Sequence, residues 1–162
     1  MSDQHETAPI LVFAYGNPSR GDDAIGTVIF NLLEKHKQET SQLDNVDLLT
    51  DFQLQIEHAV DLEHRRLVLF IDANVSCAAP FEFQKLQAEQ DDSYTTHAMS
   101  PAAVLAVYQK IHRQEPPPAY MLSIRGYEFG LGQEMTEQAK INIAQSYTFI
   151  IKQIASDADG SQ

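Results

Sequence analysis

The chain has 162 residues, 43% of them hydrophobic and 21% charged, with a single cysteine. That is about one domain, long enough to bury a core without covalent staples, and one cysteine excludes an intramolecular disulfide and a cysteine-based zinc ribbon. Eleven Lys and Arg against 23 Asp and Glu leave a formal net charge of −12. Repulsion therefore excludes nucleic acid and anionic membrane surfaces as partners, and leaves cations, metal-bearing substrates and other proteins.

Residues 1–8 are polar and acidic, without the cationic and apolar segments of a targeting signal. No run approaches the ~20 apolar residues of a membrane span. A cytoplasmic protein is the expectation, and the lone Cys77 fits a reducing compartment. One domain is expected over 9–155, with flexible tails at 1–8 and 156–162.

Residues 9–15 are an apolar run of strand formers ended by Gly16-Asn17-Pro18, and predict a buried first strand. Asp22 or Asp23 then opens a helix to about 37, with Ile25, Val28, Ile29, Leu32 and Leu33 on one face. Its acidic start suits the positive end of the helix dipole. A short strand follows at 46–50 and a short helix at 53–63. The run Leu67-Val-Leu-Phe-Ile71 marks a strand over 66–74 that is buried on both faces, as in parallel sheets. Residues 81–86 alternate apolar and polar and predict an edge strand. Ser100-Pro101 opens a helix to about 113 by cap and first-turn logic. A proline-rich breaker at 114–118, a last strand at 119–124, a glycine-punctuated loop at 125–132 and a helix over 135–155 complete the chain. The order β-α-β-α-β-β-α-β-α predicts an α/β fold with a mostly parallel sheet and helices on both faces.

Sites in such sheets form at the carboxyl ends of the strands. There the sequence places Gly16-Asn-Pro-Ser-Arg-Gly-Asp-Asp-Ala-Ile-Gly26, then Asp72-Ala-Asn-Val-Ser76, Thr95-Thr-His97-Ala-Met-Ser100 and Arg125-Gly-Tyr-Glu128. Gly16 and Gly21 have the spacing of a phosphate loop, but Asp22-Asp23 stands where Lys and Ser or Thr should be, so phosphate is repelled and a cation is wanted. Asp23, Asp72 and His97 are the candidate ligands for a divalent transition metal. The alternatives are ordinary: Asp22 and Asp23 as helix caps, Asp72 as turn chemistry, His97 as a structural histidine. Cys77 has no adjacent base and reads as a buried thiol. His58, His64 and His112 lie among charged neighbours and read as surface residues.

The block from Gly16 to Gly26 resembles the signature of the hydrogenase maturation proteases. The likeness continues through Asp72 and the His97-x-x-Ser100 element, and covers about 10–155. It implies a three-layer αβα sandwich around a twisted five-stranded sheet. It implies an endopeptidase that clips a C-terminal extension from the large-subunit precursor of a nickel–iron hydrogenase after nickel insertion. No tightly held metal of its own is implied; Asp23, Asp72 and His97 contact nickel already carried by the precursor and serve as the catalytic set. Asn17, Arg20, Asp22, Asp51, Gln53, Arg125 and Glu128, on neighbouring loops, are the candidates for holding the substrate. Asp51-Phe-Gln53-Leu stands where many relatives have an Asp-Gly-Gly-Thr turn, and is similar to another branch of the family.

Two other readings stay open on the sequence. A response-regulator receiver domain also has an acidic pair after its first strand and an Asp after its third, here Asp72 as phospho-acceptor; Arg125 stands where it needs a Lys. A non-catalytic chaperone could bind the metallated tail without cutting it.

Overall fold

The computed structural model describes residues 6–90 and 99–158. Its centre is β1 (Ile10–Tyr15), buried at every position. Such a strand needs neighbours on both edges and cover on both faces. Parallel β2 (Val46–Asp51) and β3 (Leu67–Asn74) flank it, β3 pairs in parallel with β5 (Ala119–Arg125), and β4 (Phe81–Lys85) runs antiparallel along the outer side of β5. The strand order is β2-β1-β3-β5-β4. The predicted edge strand is thus the antiparallel one, as its alternating burial requires.

Side chains alternate along each strand, so two cores form. Ile10, Val12 and Ala14 of β1 and Leu69 and Ile71 of β3 face α1 (Ile25–Glu39) and α3 (Glu137–Ala158). Leu11, Phe13 and Tyr15, with Val68 and Phe70, face α2 (Pro101–His112) and a 3-10 helix, Ile56–Leu62. The three-layer αβα architecture follows.

Local chemistry explains the boundaries. The Ser100 side chain accepts the Ala103 N–H at 3.1 Å, and Pro101 opens α2 as predicted. The helix expected over 53–63 is the shorter 3-10 helix, held by a reciprocal box between Gln55 and His58. Residues 21–24 form a 3-10 turn before α1 instead of its first α-turn. The last helix runs to Ala158, three residues past its expected end. No helix among the described residues is long and apolar enough to cross a membrane.

Candidate functional site

The register of the parallel strands aligns polar residues one step beyond the last apolar layer. Tyr15 pairs with Asp51 on β2, and Asp72 pairs with Ser123 on β5. Ala14 pairs with Ile71, so the next step puts Tyr15 beside Asp72. All four continue the sheet face that carries Leu49, Phe13, Phe70 and Met121, the face under α2. This row lies at the carboxyl edge of the sheet, where parallel α/β folds build their sites.

Asp23 comes to the same edge from the turn after β1. Its Oδ2 accepts the Asn17 N–H at 2.9 Å. Asp72 Oδ1 accepts the following Ala73 N–H at 2.8 Å. Each carboxylate therefore has one oxygen pinned by backbone, and the other has no hydrogen-bond partner among the described residues. Gly16 makes the approach feasible. It has a φ of +148°, and a Cβ there would sit 2.3 Å from the Asp23 carbonyl oxygen. Gly26 has a second such role: a Cβ would lie 2.1 Å from the Tyr15 carbonyl oxygen, so α1 packs directly on the end of β1.

Burial and the negative charge of Asp23, outweighing the Ala73 hydrogen bond, raise the Asp72 carboxyl to about 7. Tyr15 is pushed well above its ordinary range by burial, then by Asp72 and Asp23. Two carboxylates near enough for one charge to act on the other favour a proton on one of them, here Asp72, or a nearby cation. His97, the third ligand expected from the sequence, lies outside the described residues. Among the described residues no three His, Cys, Asp or Glu side chains are grouped to hold a metal.

Asp22, a substrate candidate from the sequence, has its carboxylate committed within the fold. It is fully buried, and its carboxylate accepts the N–H groups of Tyr127, Glu128 and Thr136 and the Thr136 hydroxyl, at 2.7 to 3.1 Å. Burial opposes its charge, but these four donors prevail and hold its carboxyl below the usual range. It clasps the first loop to the loop after β5 and to the start of α3, where Thr136 Oγ1 in turn accepts the Ala139 N–H. Arg125 is also taken: its guanidinium donates to the Cys77 and Gly126 carbonyls and lies 4.9 Å over the Tyr127 ring. The other candidates divide. Asn17 Oδ1 accepts the Ser19 N–H, while Arg20, Gln53 and Glu128 are exposed on loops around the edge.

Asp51 holds a partner that sequence reading misassigned. His58 is buried, not on the surface, edge-on to Phe13 at 4.7 Å. Its Nδ1 accepts the Gln55 N–H at 2.8 Å, which puts the proton on Nε2 and directs it to Asp51 Oδ2 at 3.2 Å. His64 is exposed as expected, and His112 is half-buried against Glu63. Cys77 is buried as expected, its thiol against the Ser123 carbonyl. A cavity of about 400 Å³ among Glu63, Tyr108, His112 and Glu115 opens at the amino edge of the sheet, and neither carboxylate of the pair lines it.

No protein-family model matches the chain, and no curated protein matches it. Solved structures do. The maturation protease HybD of E. coli is 21% identical over 91% of this chain and 93% of its own, with a TM-score of 0.68. HycI of Thermococcus kodakarensis, a [NiFe] hydrogenase maturation protease, is 20% identical over 92% and 93%, with a TM-score of 0.65. The endopeptidase HycI of Escherichia coli is 18% identical over 86% of each chain, with a TM-score of 0.62. The fold is therefore that of the hydrogenase maturation proteases, as the Gly16–Gly26 block implied. The receiver-domain reading fails on topology, because such doubly wound domains order their strands 2-1-3-4-5, and here an antiparallel β4 lies outside β5.

Proposed function

We propose that the chain is a cytoplasmic endopeptidase that removes a C-terminal extension from the large-subunit precursor of a nickel–iron hydrogenase after nickel insertion. The observation that carries this reading is the carboxylate pair at the carboxyl edge of the sheet: the charge of Asp23 acts on Asp72, and each has one oxygen pinned and one uncommitted. Likeness of fold to the maturation proteases supports the same reading. Nickel arrives with the substrate, and the protein holds no tightly bound metal of its own. Asp23, Asp72 and His97 contact that nickel.

The physical logic is a checkpoint. Two like charges in a partly buried site repel, and Asp72 shares the cost by holding a proton near neutral pH. A divalent cation relieves that repulsion, so a precursor carrying nickel docks where an empty one does not. Cleavage then follows only on the loaded precursor. Asp51, His58 and the exposed Gln53 form one side of the approach, and Asn17 and Arg20 the other.

The test is mass spectrometry of nickel-loaded and nickel-free precursor from the same host, incubated with the protein. Loss of a short C-terminal peptide from the loaded form alone is the expected result. Tight binding of the loaded precursor without mass loss would establish the chaperone reading instead.

A further inference from the structure

Tyr15 is the residue of this edge that neither the motif nor the ligand set accounts for. It is the last residue of β1, and the register sets it between Asp51 of β2 and Asp72 of β3 on one face of the sheet. It is 7% exposed. Its ring is edge-on to Phe13 at 6.0 Å, continuing the apolar layer below. That contact uses only the ring. The hydroxyl has no hydrogen-bond partner among the described residues, and the register places its residue on the same sheet face as Asp51 and Asp72, at the edge of the carboxylates.

A phenylalanine would serve the packing equally well. The Tyr15 hydroxyl is not a sealed polar atom, as Ser146 Oγ is among the described residues, and its place at the carboxyl end of β1 leaves it available to an acceptor on the substrate. A phenol titrates ordinarily near ~10, so at neutral pH it is a neutral donor rather than a base. Peptide hydrolysis creates such an acceptor. The water oxygen bonds to the carbonyl carbon, the C–N bond breaks, and the two hydrogens of water end on the new carboxyl group and the new amine. Between these events the carbonyl oxygen gathers negative charge, and a preorganised donor aimed at it lowers the barrier.

We propose that the Tyr15 hydroxyl is a catalytic hydrogen-bond donor of this site, directed at the carbonyl oxygen of the scissile peptide beside Asp72. This rests on the peptidase reading above. Tyr15 keeps its own proton throughout the reaction, so no further acid or base is needed to reset it. The backbone that carries it is fixed by the contact of Gly26 with its carbonyl oxygen, which gives the donor the rigid mount that preorganisation requires.

The experiment is steady-state cleavage of nickel-loaded precursor by wild type, by Tyr15→Phe, and by protein carrying 4-methylphenylalanine or 4-aminophenylalanine at position 15. The two analogues match the size of tyrosine; only the amino form donates. Expected are a kcat roughly 100-fold lower for Tyr15→Phe with KM within about twofold, the same loss for the methyl analogue, and at least about tenfold recovery for the amino analogue. Equal kcat for the two analogues overturns the proposal even where Tyr15→Phe folds poorly, because both fill the same space. A wild type that leaves the loaded precursor uncut overturns the peptidase reading and this proposal with it. A wild type that cleaves, with Tyr15→Phe as fast, overturns the role of Tyr15 alone.

Discussion

Asp22 and Asp23 are neighbours in sequence and opposites in use. Asp22 faces four donors, is fully buried, and is held ionised below the usual carboxylate range. Asp23 accepts one backbone N–H and adds its charge to that of Asp72, whose proton is retained to about 7. The first carboxylate has every demand satisfied and can do nothing but hold the fold together. Asp23 and Asp72 are left short of donors, which costs stability. A satisfied carboxylate is structure; an unsatisfied one at a strand end is a candidate for chemistry.

The sharpest way to break this comparison is to remove charge from the open pair. Asp23→Asn and Asp72→Asn are each expected to cut processing of nickel-loaded precursor by roughly 100-fold or more, the scale of losing several kcal/mol of metal or transition-state contact. His97→Ala is expected to do the same. Near pH 5 the melting temperature of each variant should stay within a few degrees of wild type. Wild-type processing by Asp23→Asn or Asp72→Asn would dissolve the pair as a site.

The opposite signature belongs to Asp22. Asp22→Ala strands four donors that now serve one carboxylate, and charge-assisted bonds to a buried group are the costly kind to lose. A destabilisation of about 3–4 kcal/mol is expected, or roughly 10 °C in melting temperature at about 2–4 °C per kcal/mol for a domain of this size. Calorimetry reads it directly. Below the melting transition the folded protein should process precursor within a few-fold of wild type. A melting temperature unmoved by Asp22→Ala would show that the clasp holds nothing.

The sequence made the scaffold legible because its strands announce themselves. An apolar run on both faces, as at Leu67 to Ile71, has few homes other than a central parallel strand. Ser100-Pro101 is a start signal whose physics is local, and α2 begins there. The site was legible as a set of strand ends, and at that edge the charge of Asp23 acts on Asp72. What escaped was whatever depends on partners far along the chain. Asp22 and Asp23 are indistinguishable locally; their difference is made by residues 105 to 114 positions away. His58 sits beside Glu57 and reads as exposed, but the 3-10 helix turns it inward against Phe13 and Asp51. Tyr15 reads as one more apolar strand residue, and only the register with Asp72 gives its hydroxyl a context.

The smallest effect separates the two carboxylate regions by pH. Asp22 has a folded pKa below its unfolded value of ~3.9, so its contribution is present above that value and is lost as pH falls through the folded pKa. Asp72 has the reverse sign. Its folded pKa, about 7, lies above the unfolded value. The native state therefore binds more protons than the unfolded chain between ~4 and 7, and stability falls as pH rises through that window. Full linkage over about three units corresponds to ~4 kcal/mol; partial exposure and relaxation of the site reduce this to about 2 kcal/mol. Asp72→Asn carries no such charge. Its melting temperature should match wild type below about pH 4 and exceed it by roughly 4–8 °C at pH 8, while its processing activity is lost throughout. A gain in stability bought with the loss of function is what a carboxylate kept for chemistry predicts. A wild type whose stability advantage over Asp72→Asn grows with pH would instead make Asp72 a second clasp, and would move the open site off this residue.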